Sequence, residues 1–341
     1  MALTGFVYHS DYLEHDMGHT HPESPQRLRA IVGRLEETGL LPSLVRINPK
    51  PATDDWITQV HEYTYVKGLR QRAPQKGYVS LDPDTSMSPG SLGAAYLAAG
   101  GALSAVDAIM EKRVDNAFCA VRPPGHHAES DHAMGFCLFN NVAIAARYFQ
   151  KRYGLERIAI VDWDVHHGNG TSEIFYASSS VLYASIHQSP LYPGTGAINE
   201  QGADKGFGCN LNIPLPPGAT GDVYVAGLDR VVAPLVQVFE PTWLLISAGF
   251  DAHRRDPLTD LGLTSGDFGL ITRRLIELVP TAKRIMVLEG GYDLQALADS
   301  SGAAMAALLG VDDEPEKPTA GGPGHRVLDT VSERWGDLLP S

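Results

Sequence analysis

Six short apolar runs set the frame for this chain: Phe6 to His9, Ala117 to Val121, Ile158 to Val161, Val181 to Ile186, Trp243 to Ser247 and Ile285 to Leu288. A strand with one wet face alternates apolar and polar residues, whereas a strand covered on both faces is apolar nearly throughout. These runs therefore predict a buried parallel sheet. Stretches with helical periodicity lie between them, as parallel strands require, since each crossover must return the chain to the same end of the sheet. Ser24-Pro25 reads as the cap and first turn of a helix with Leu28, Ile31, Val32 and Leu35 on one stripe. Ser91 to Lys112 is an Ala- and Gly-rich helix suited to close packing, and Thr264-x-x-Asp267 caps a helix carrying Leu270, Ile271, Leu275 and Leu278 that stops at Pro280. The fold class that follows is α/β, in layers.

Composition narrows the function classes. With 43% hydrophobic and 20% charged residues over 341 positions, the chain is globular, not fibrous or disordered. Its 40 acidic and 27 basic residues leave a net charge of −13, which argues against direct nucleic-acid or anionic-membrane binding and suits a cationic substrate. Cys119, Cys137 and Cys209 form no C-x-x-C pair, so neither a disulfide framework nor a thiolate zinc site is expected, and a reducing compartment is the default. The N-terminus lacks a basic region followed by a long apolar run, and no segment reads as a membrane span, so a cytoplasmic location is expected. The one linker-like stretch, Asp312 to Gly324, precedes Leu328, Val331, Trp335 and Leu338, spaced as an amphipathic helix that folds back on the body.

Ligands of an open parallel sheet bind beyond the carboxyl ends of its strands. Four of the runs lead there into unusual residues: Arg122-Pro-Pro-Gly-His126-His127, Asp162-Trp-Asp164-Val-His166-His-Gly-Asn169-Gly, Ala248-Gly-Phe-Asp251, and Glu289-Gly-Gly-Tyr292. Asp162, Asp164 and His166 are spaced by two, which on an extended chain places all three on one side. With Asp251 arriving from another strand, such a set matches a metal site with an open position. Two anionic ligands would leave the metal with a small net charge, so a separate base is needed, and the adjacent His126 and His127, turned by the preceding Pro-Pro-Gly, are the candidates. Tyr292, after Gly290-Gly291, is placed to polarise a carbonyl opposite the metal.

Other histidines carry less. His15, His19 and His21 have ligand-like spacing in a polar segment and read as surface residues, while His61, His132, His187 and His253 read as hydrogen-bonding loop residues. The acidic Asp312-Asp313-Glu314 reads as solvated, and Arg254-Arg255 as rim or merely solubilising charges. No G-x-S-x-G, G-x-x-x-x-G-K-[ST], G-x-G-x-x-G or H-E-x-x-H motif occurs, which removes serine-hydrolase, nucleotide and zincin readings.

In order along the chain, Arg122-Pro-Pro-Gly-His-His-Ala128, Gly135-Phe-Cys-Leu-Phe-Asn-Asn141, Asp162-Trp-Asp-Val-His-His-Gly-Asn-Gly170, Ser247-Ala-Gly-Phe-Asp-Ala252 with Asp256-Pro-Leu258, and Leu288-Glu-Gly-Gly-Tyr292 resemble the zinc-dependent histone deacetylase family. The likeness runs from about His21 to about Leu309, and Asn169 resembles the class II branch, since class I members usually carry Asp there. The resemblance implies an arginase-like three-layer α/β/α fold with a single, mostly eight-stranded parallel sheet. It implies a deacetylase domain over 1–311, with 312–341 as linker and packing helix. It implies Asp164, His166 and Asp251 as ligands of one Zn²⁺ (Fe²⁺ being acceptable to the same donors), and His126, His127 and Tyr292 as catalytic groups. Asp162 and Asn169 would orient the two histidines. Phe136 and Tyr192 would wall a tunnel, Gly135 would offer its carbonyl, Leu258 would stand at the gate, Asp84 would hold substrate at the rim, and Arg27 would line a product exit. A structural K⁺ would lie near Asp162, Asp164, His166, Ser185 and Ile186.

The function expected is a zinc-dependent hydrolase removing acetyl or another short acyl group from an acyl-lysine of a protein or peptide, working as a monomer or homo-oligomer. The nearest alternative is an acetylpolyamine or other small acyl-amide amidohydrolase. Some polyamine-selective relatives place Glu where Leu258 stands, which counts against it. A non-catalytic reader of acyl-lysine would be expected to have lost the tyrosine or a ligand. A binuclear ureohydrolase would carry Asp at position 168, which is Gly168.

Overall fold

The computed structural model describes residues 2–280, 283–313 and 315–336. Eight parallel strands form one sheet: β1 (Thr4–Val7), β2 (Val45–Ile47), β3 (Asn116–Cys119), β4 (Ile158–Asp162), β5 (Val181–Gln188), β6 (Asn210–Leu215), β7 (Trp243–Ala248) and β8 (Lys283–Leu288). Their spatial order is β2-β1-β3-β8-β7-β4-β5-β6, with helices between them in sequence. The six runs read as strands are all present, and β3, β4, β5 and β7 are buried along their whole length.

The two strands that the apolar pattern missed are the two edges. β2 is three residues long and only its last residue, Ile47, is buried. β6 carries Asn210, Asn212 and Pro214, and it pairs on one side only, where Pro214 lies opposite His187. An edge strand needs neither continuous apolar burial nor a full set of ladder donors, so its sequence does not announce it.

The helix Ser91–Met110 lies in the interior. A Cβ on Gly100 would stand 1.8 Å from the Lys50 carbonyl oxygen, so the helix approaches its neighbour as only glycine allows. This helix is also long and apolar enough to cross a membrane, with a mean hydropathy of 1.4, which amends the expectation that no segment resembles a span. Of that stretch 72% is buried inside the protein, as for a core helix. Thr264 and Asp267 form a reciprocal capping box on the helix Ser265–Leu278. The helix His325–Trp335 buries Leu328, Val331 and Trp335, while Leu338 and Glu314 lie outside the described residues.

Two of the discounted histidines lie elsewhere than expected. His15 is fully buried, with Nδ1 2.7 Å from Ser91 Oγ and Nε2 3.4 Å from Glu23 Oε2. His187 lies within β5, not in a loop, and its Nε2 hydrogen-bonds the Gly196 carbonyl. His15 belongs to a buried ionic hub around Glu23. Arg122 donates to Glu23 from Nε at 2.5 Å and from a terminal nitrogen at 2.6 Å, and Arg27 donates at 3.1 Å. Arg27 also donates to the carbonyls of Glu289 and Gly291, so the hub clamps the N-terminal segment onto the loop after β8. Burial works to raise the Glu23 carboxyl, but Arg122 and His15 outweigh it and hold it well below the usual carboxylate range.

Removing one partner of a buried ion network leaves the other charges uncompensated. Glu23→Gln is therefore expected to destabilise the protein by about 3–5 kcal/mol in urea unfolding near neutral pH. Because the folded carboxyl is depressed, its contribution is complete above the ordinary value of 4.5 and is lost as the pH falls through the lowered one. The deficit of the variant should accordingly shrink in acid. A loss below about 1 kcal/mol at neutral pH, the range of an exposed pair, would contradict this account of the hub.

Candidate active site

The four central strands end in step. Cys119 of β3 pairs with Val287 of β8, Val287 with Ser247 of β7, and Ser247 with Asp162 of β4. The loops leaving this row carry His126 and His127, Tyr292, Asp251, and Asp164, His166 and Asn169, so four sequence-distant segments meet at one rim.

Asp164, His166 and Asp251, all buried, present donor atoms within 4.8 Å of one another. His166 Nδ1 lies 3.1 Å from Asp164 Oδ1 and 3.2 Å from Asp251 Oδ2, and Oδ2 of Asp251 is buried without a well-directed hydrogen bond. Backbone amides hold the remaining oxygens: Gly290 N–H donates to Asp164 Oδ2 at 2.8 Å and Val165 N–H to Asp251 Oδ1 at 2.9 Å. Two buried carboxylates, one of them with an unsatisfied oxygen, converging on an imidazole are a donor set that fits a divalent cation. A Cβ on Gly249 would stand 1.9 Å from Asp164 Oδ2, and one on Gly290 2.0 Å from Asp251 Oδ2, so these positions admit no side chain beside the carboxylates.

Asp162 does not join this group, contrary to what its spacing alone suggests. β4 ends at Asp162 and the chain bends over Asp164–His166, so the period of two stops there. Asp162 Oδ2 instead meets His126 Nδ1 at 3.0 Å and accepts from the Tyr183 hydroxyl. The other histidine, His127, has its Nδ1 2.8 Å from Asn169 Oδ1. The two rings stand 4.1 Å apart and titrate in opposite directions. Burial opposes charge on His126, but Asp164 and Asp162 prevail and push it up to about 10. Burial, with His126 and His166 nearby, holds His127 well below its ordinary value.

Asp84, His127, Gly135, Phe136, His166, Leu191, Tyr192, Leu258 and Tyr292 line a cavity of about 210 Å³. Phe136 and Tyr292 meet edge to face at 5.8 Å, and Tyr192 meets His127 in the same way at 5.2 Å. Phe136 has φ +68°, an uncommon conformation for a bulky residue, and its backbone is pinned: Gly135 N–H donates to Asp84 Oδ1 and Phe136 N–H to Thr85 Oγ1. Asp84 thus lies at the cavity with one oxygen already engaged. The Tyr292 hydroxyl makes no hydrogen bond among the described residues, and burial raises it well above an ordinary phenol, so it keeps its proton. Arg27 stands over the Tyr292 ring at 5.1 Å with its donors bound to Gly291, Glu289 and Glu23. Arg254 and Arg255 are not at the cavity; Arg254 pairs with Glu316, and Arg255 lies near Asp293 and Asp299. Ser185 Oγ faces His187 Nδ1 and the Ile186 carbonyl accepts from Tyr224.

Several supporting groups were not assigned from the sequence. Glu289 is fully buried, accepts the backbone N–H groups of Gly125 and His126 and the Ser247 hydroxyl, and is pushed up by burial to about 7. Asp256 accepts the N–H groups of Tyr292 and Asp293, which fixes the tyrosine's backbone. The only signal for either was its place inside a motif, next to residues with evident chemistry.

The histone deacetylase domain model matches residues 21–308. A probable deacetylase of Archaeoglobus fulgidus is 42% identical, covering 91% of this chain and 87% of its own length. A histone deacetylase-like amidohydrolase of Pseudomonas aeruginosa is 38% identical over 85% of this chain and 77% of its own. The crystal structure of the HDA15 HD domain superposes with a TM-score of 0.92 at 37% identity, covering 99% of this chain and 96% of that one. With its eight-stranded parallel sheet and flanking helices in the arginase-like α/β arrangement, the chain belongs to the histone deacetylase family.

Proposed function

We propose that this deacetylase-family protein is a zinc-dependent hydrolase of a linear amide, releasing a short acyl group, most simply acetyl, from the side chain of an acyl-lysine. The observation that carries the reading is the cavity itself: apolar walls from Phe136, Leu191, Tyr192 and Leu258 lead to His127, His166 and Tyr292. An uncharged four-carbon stem fits such walls, and the polar chemistry lies only at their end.

Asp164, His166 and Asp251 would hold the metal, which when bound supplies Lewis acidity and lowers the pKa of water. The remaining roles fall to the chain's own groups. With its Nδ1–H directed at Asn169 Oδ1 and its charge suppressed, His127 presents a basic Nε2 that takes the proton of the attacking water. His126, whose Nδ1 is directed at Asp162 Oδ2, offsets as a cation the negative charge that develops beside it. The Tyr292 hydroxyl donates to the acyl oxygen as the water oxygen bonds to carbon. The proton on His127 then passes to the departing nitrogen as the C–N bond breaks, giving a free amine and a carboxylic acid, which keeps the second proton of the water and releases it to solvent near neutral pH. Gly135 would offer its carbonyl to the substrate amide and Asp84 its carboxylate to the substrate at the rim. The same donors accept Fe²⁺. A K⁺ would sit by Asp162, Asp164, His166, Ser185 and Ile186. Three free cysteines, two of them buried, support a reducing compartment and a cytoplasmic place. Leu258 at the cavity and the net charge of −13 leave small acylated amines as the second substrate class.

Tyr292→Phe is expected to lower kcat on an acetyl-lysine peptide by about 10²–10³ with bound metal unchanged, since it removes one oxyanion donor and no ligand. Undiminished turnover would exclude the assigned role. Chelation should abolish hydrolysis and Zn²⁺ should restore it; activity indifferent to chelation would overturn the proposed mechanism. Run beside N-acetylputrescine, the peptide should show the higher kcat/KM, and the reverse order would move the assignment to polyamines.

A further inference from the structure

Asn169 faces a problem that a carboxylate would not. Its amide has an acceptor end and a donor end of nearly the same shape, and only one orientation leaves His127 able to act as a base. With Oδ1 toward His127, the ring carries its proton on Nδ1 and keeps the Nε2 lone pair; with the amide reversed, Nδ1 must accept and the proton moves to Nε2.

The surroundings of Asn169 decide between the two. Its Nδ2 donates to Glu129 Oε1 at 2.6 Å, and the other atoms within reach are the Met134 sulfur at 3.2 Å and the His127 carbonyl at 3.5 Å. All three are acceptors, and a carboxylate cannot donate, so a reversed amide would set oxygen against oxygen. Glu129 is itself anchored by its backbone. Its N–H donates to the His132 carbonyl, and its own carbonyl accepts from His61 Nδ1, whose Nε2 accepts the Asn140 N–H. Its second carboxylate oxygen lies 3.8 Å from His132 Nε2.

We propose that Glu129 is a positioning residue, which fixes the amide of Asn169 and through it the Nδ1–H tautomer of His127. Glu129 touches neither the cavity nor the metal-ligand group. Its kinetic consequences rest on the role given to His127 above; its structural consequence does not.

The test reverses the chemistry of the residue. In Glu129→Lys the carboxylate is replaced by a group with donors only, which draws Asn169 Oδ1 away from His127 and turns the amide. Asn169→Asp added to that variant supplies a carboxylate that accepts from both neighbours and has no orientation to lose. On an acetyl-lysine peptide, kcat of the Glu129→Lys enzyme should fall by about 10² or more, the scale of a lost general base, with KM and metal content little changed. The double variant should recover to within about tenfold of wild type. Imidazole ¹⁵N NMR of the zinc-loaded protein, with signals assigned by their loss in His127→Asn, should place the ring proton on Nδ1 in wild type and on Nε2 in Glu129→Lys. Retention of Nδ1–H in Glu129→Lys, turnover close to wild type in that variant, or a folded double variant no more active than the single one would each overturn the proposal. A wild-type enzyme that cleaves none of the acyl-lysine peptides would sink the proposed function instead, and the NMR comparison would still decide the role of Glu129.

Discussion

Four carboxylates buried at the ends of three adjacent strands, β8, β7 and β4, are the constraint around which the molecule is arranged. Asp162, Asp164, Asp251 and Glu289 are each fully buried, and an uncompensated buried carboxylate is costly enough that each must be protonated, paired or bound to a cation. The fold provides a different remedy for each. Asp162 meets His126, Glu289 is satisfied by two backbone amides and is pushed up to about 7, and Asp164 with Asp251 shares His166. Of these four carboxylates only Asp251 keeps a buried oxygen without a well-directed hydrogen bond, and that is where a metal fits.

This arrangement depends on topology. β3, β8, β7 and β4 are neighbours in space although β8 is last in sequence and β3 precedes β4, so the site assembles only after the final crossover is in place. The buried hub of Glu23, Arg27 and Arg122 adds a clamp from the N-terminal segment, through Arg27, to the carbonyls beside Tyr292. The chain after the last sheet strand adds a second hold, because Glu316 accepts from His253 Nε2 and Arg254 just beyond Asp251. The loops that carry the candidate site are thus held by segments from both ends of the sequence, which suits chemistry that needs groups fixed in place.

The sequence made much of this legible because buried parallel strands have few ways to be written. The apolar runs marked the six inner strands, and the polar residues after four of them marked the rim. What escaped was whatever does not need a distinctive residue pattern. The edges β2 and β6 have one partner each and carry Arg46, Asn210, Asn212 and Pro214. His15 looked like a surface residue because its partners, Glu23 and Ser91, are supplied by distant parts of the fold. Spacing alone puts Asp162 on one side with Asp164 and His166, because a period of two assumes an extended chain, and the chain bends just after it. The roles of Glu129, Asp256 and Glu289 are set by which backbone or side-chain donors end up beside them, and no spacing encodes that.

The central claim is that Asp164, His166 and Asp251 form a metal site whose charge balance the rest of the structure serves. Titration of the metal-free protein with Zn²⁺ against a chromophoric chelator tests it directly. The account predicts one tight site per chain in wild type and its loss in Asp251→Ala, with the fold of that variant retained by circular dichroism. No tight site in wild type, or equal affinity in the Asp251→Ala protein, would contradict it.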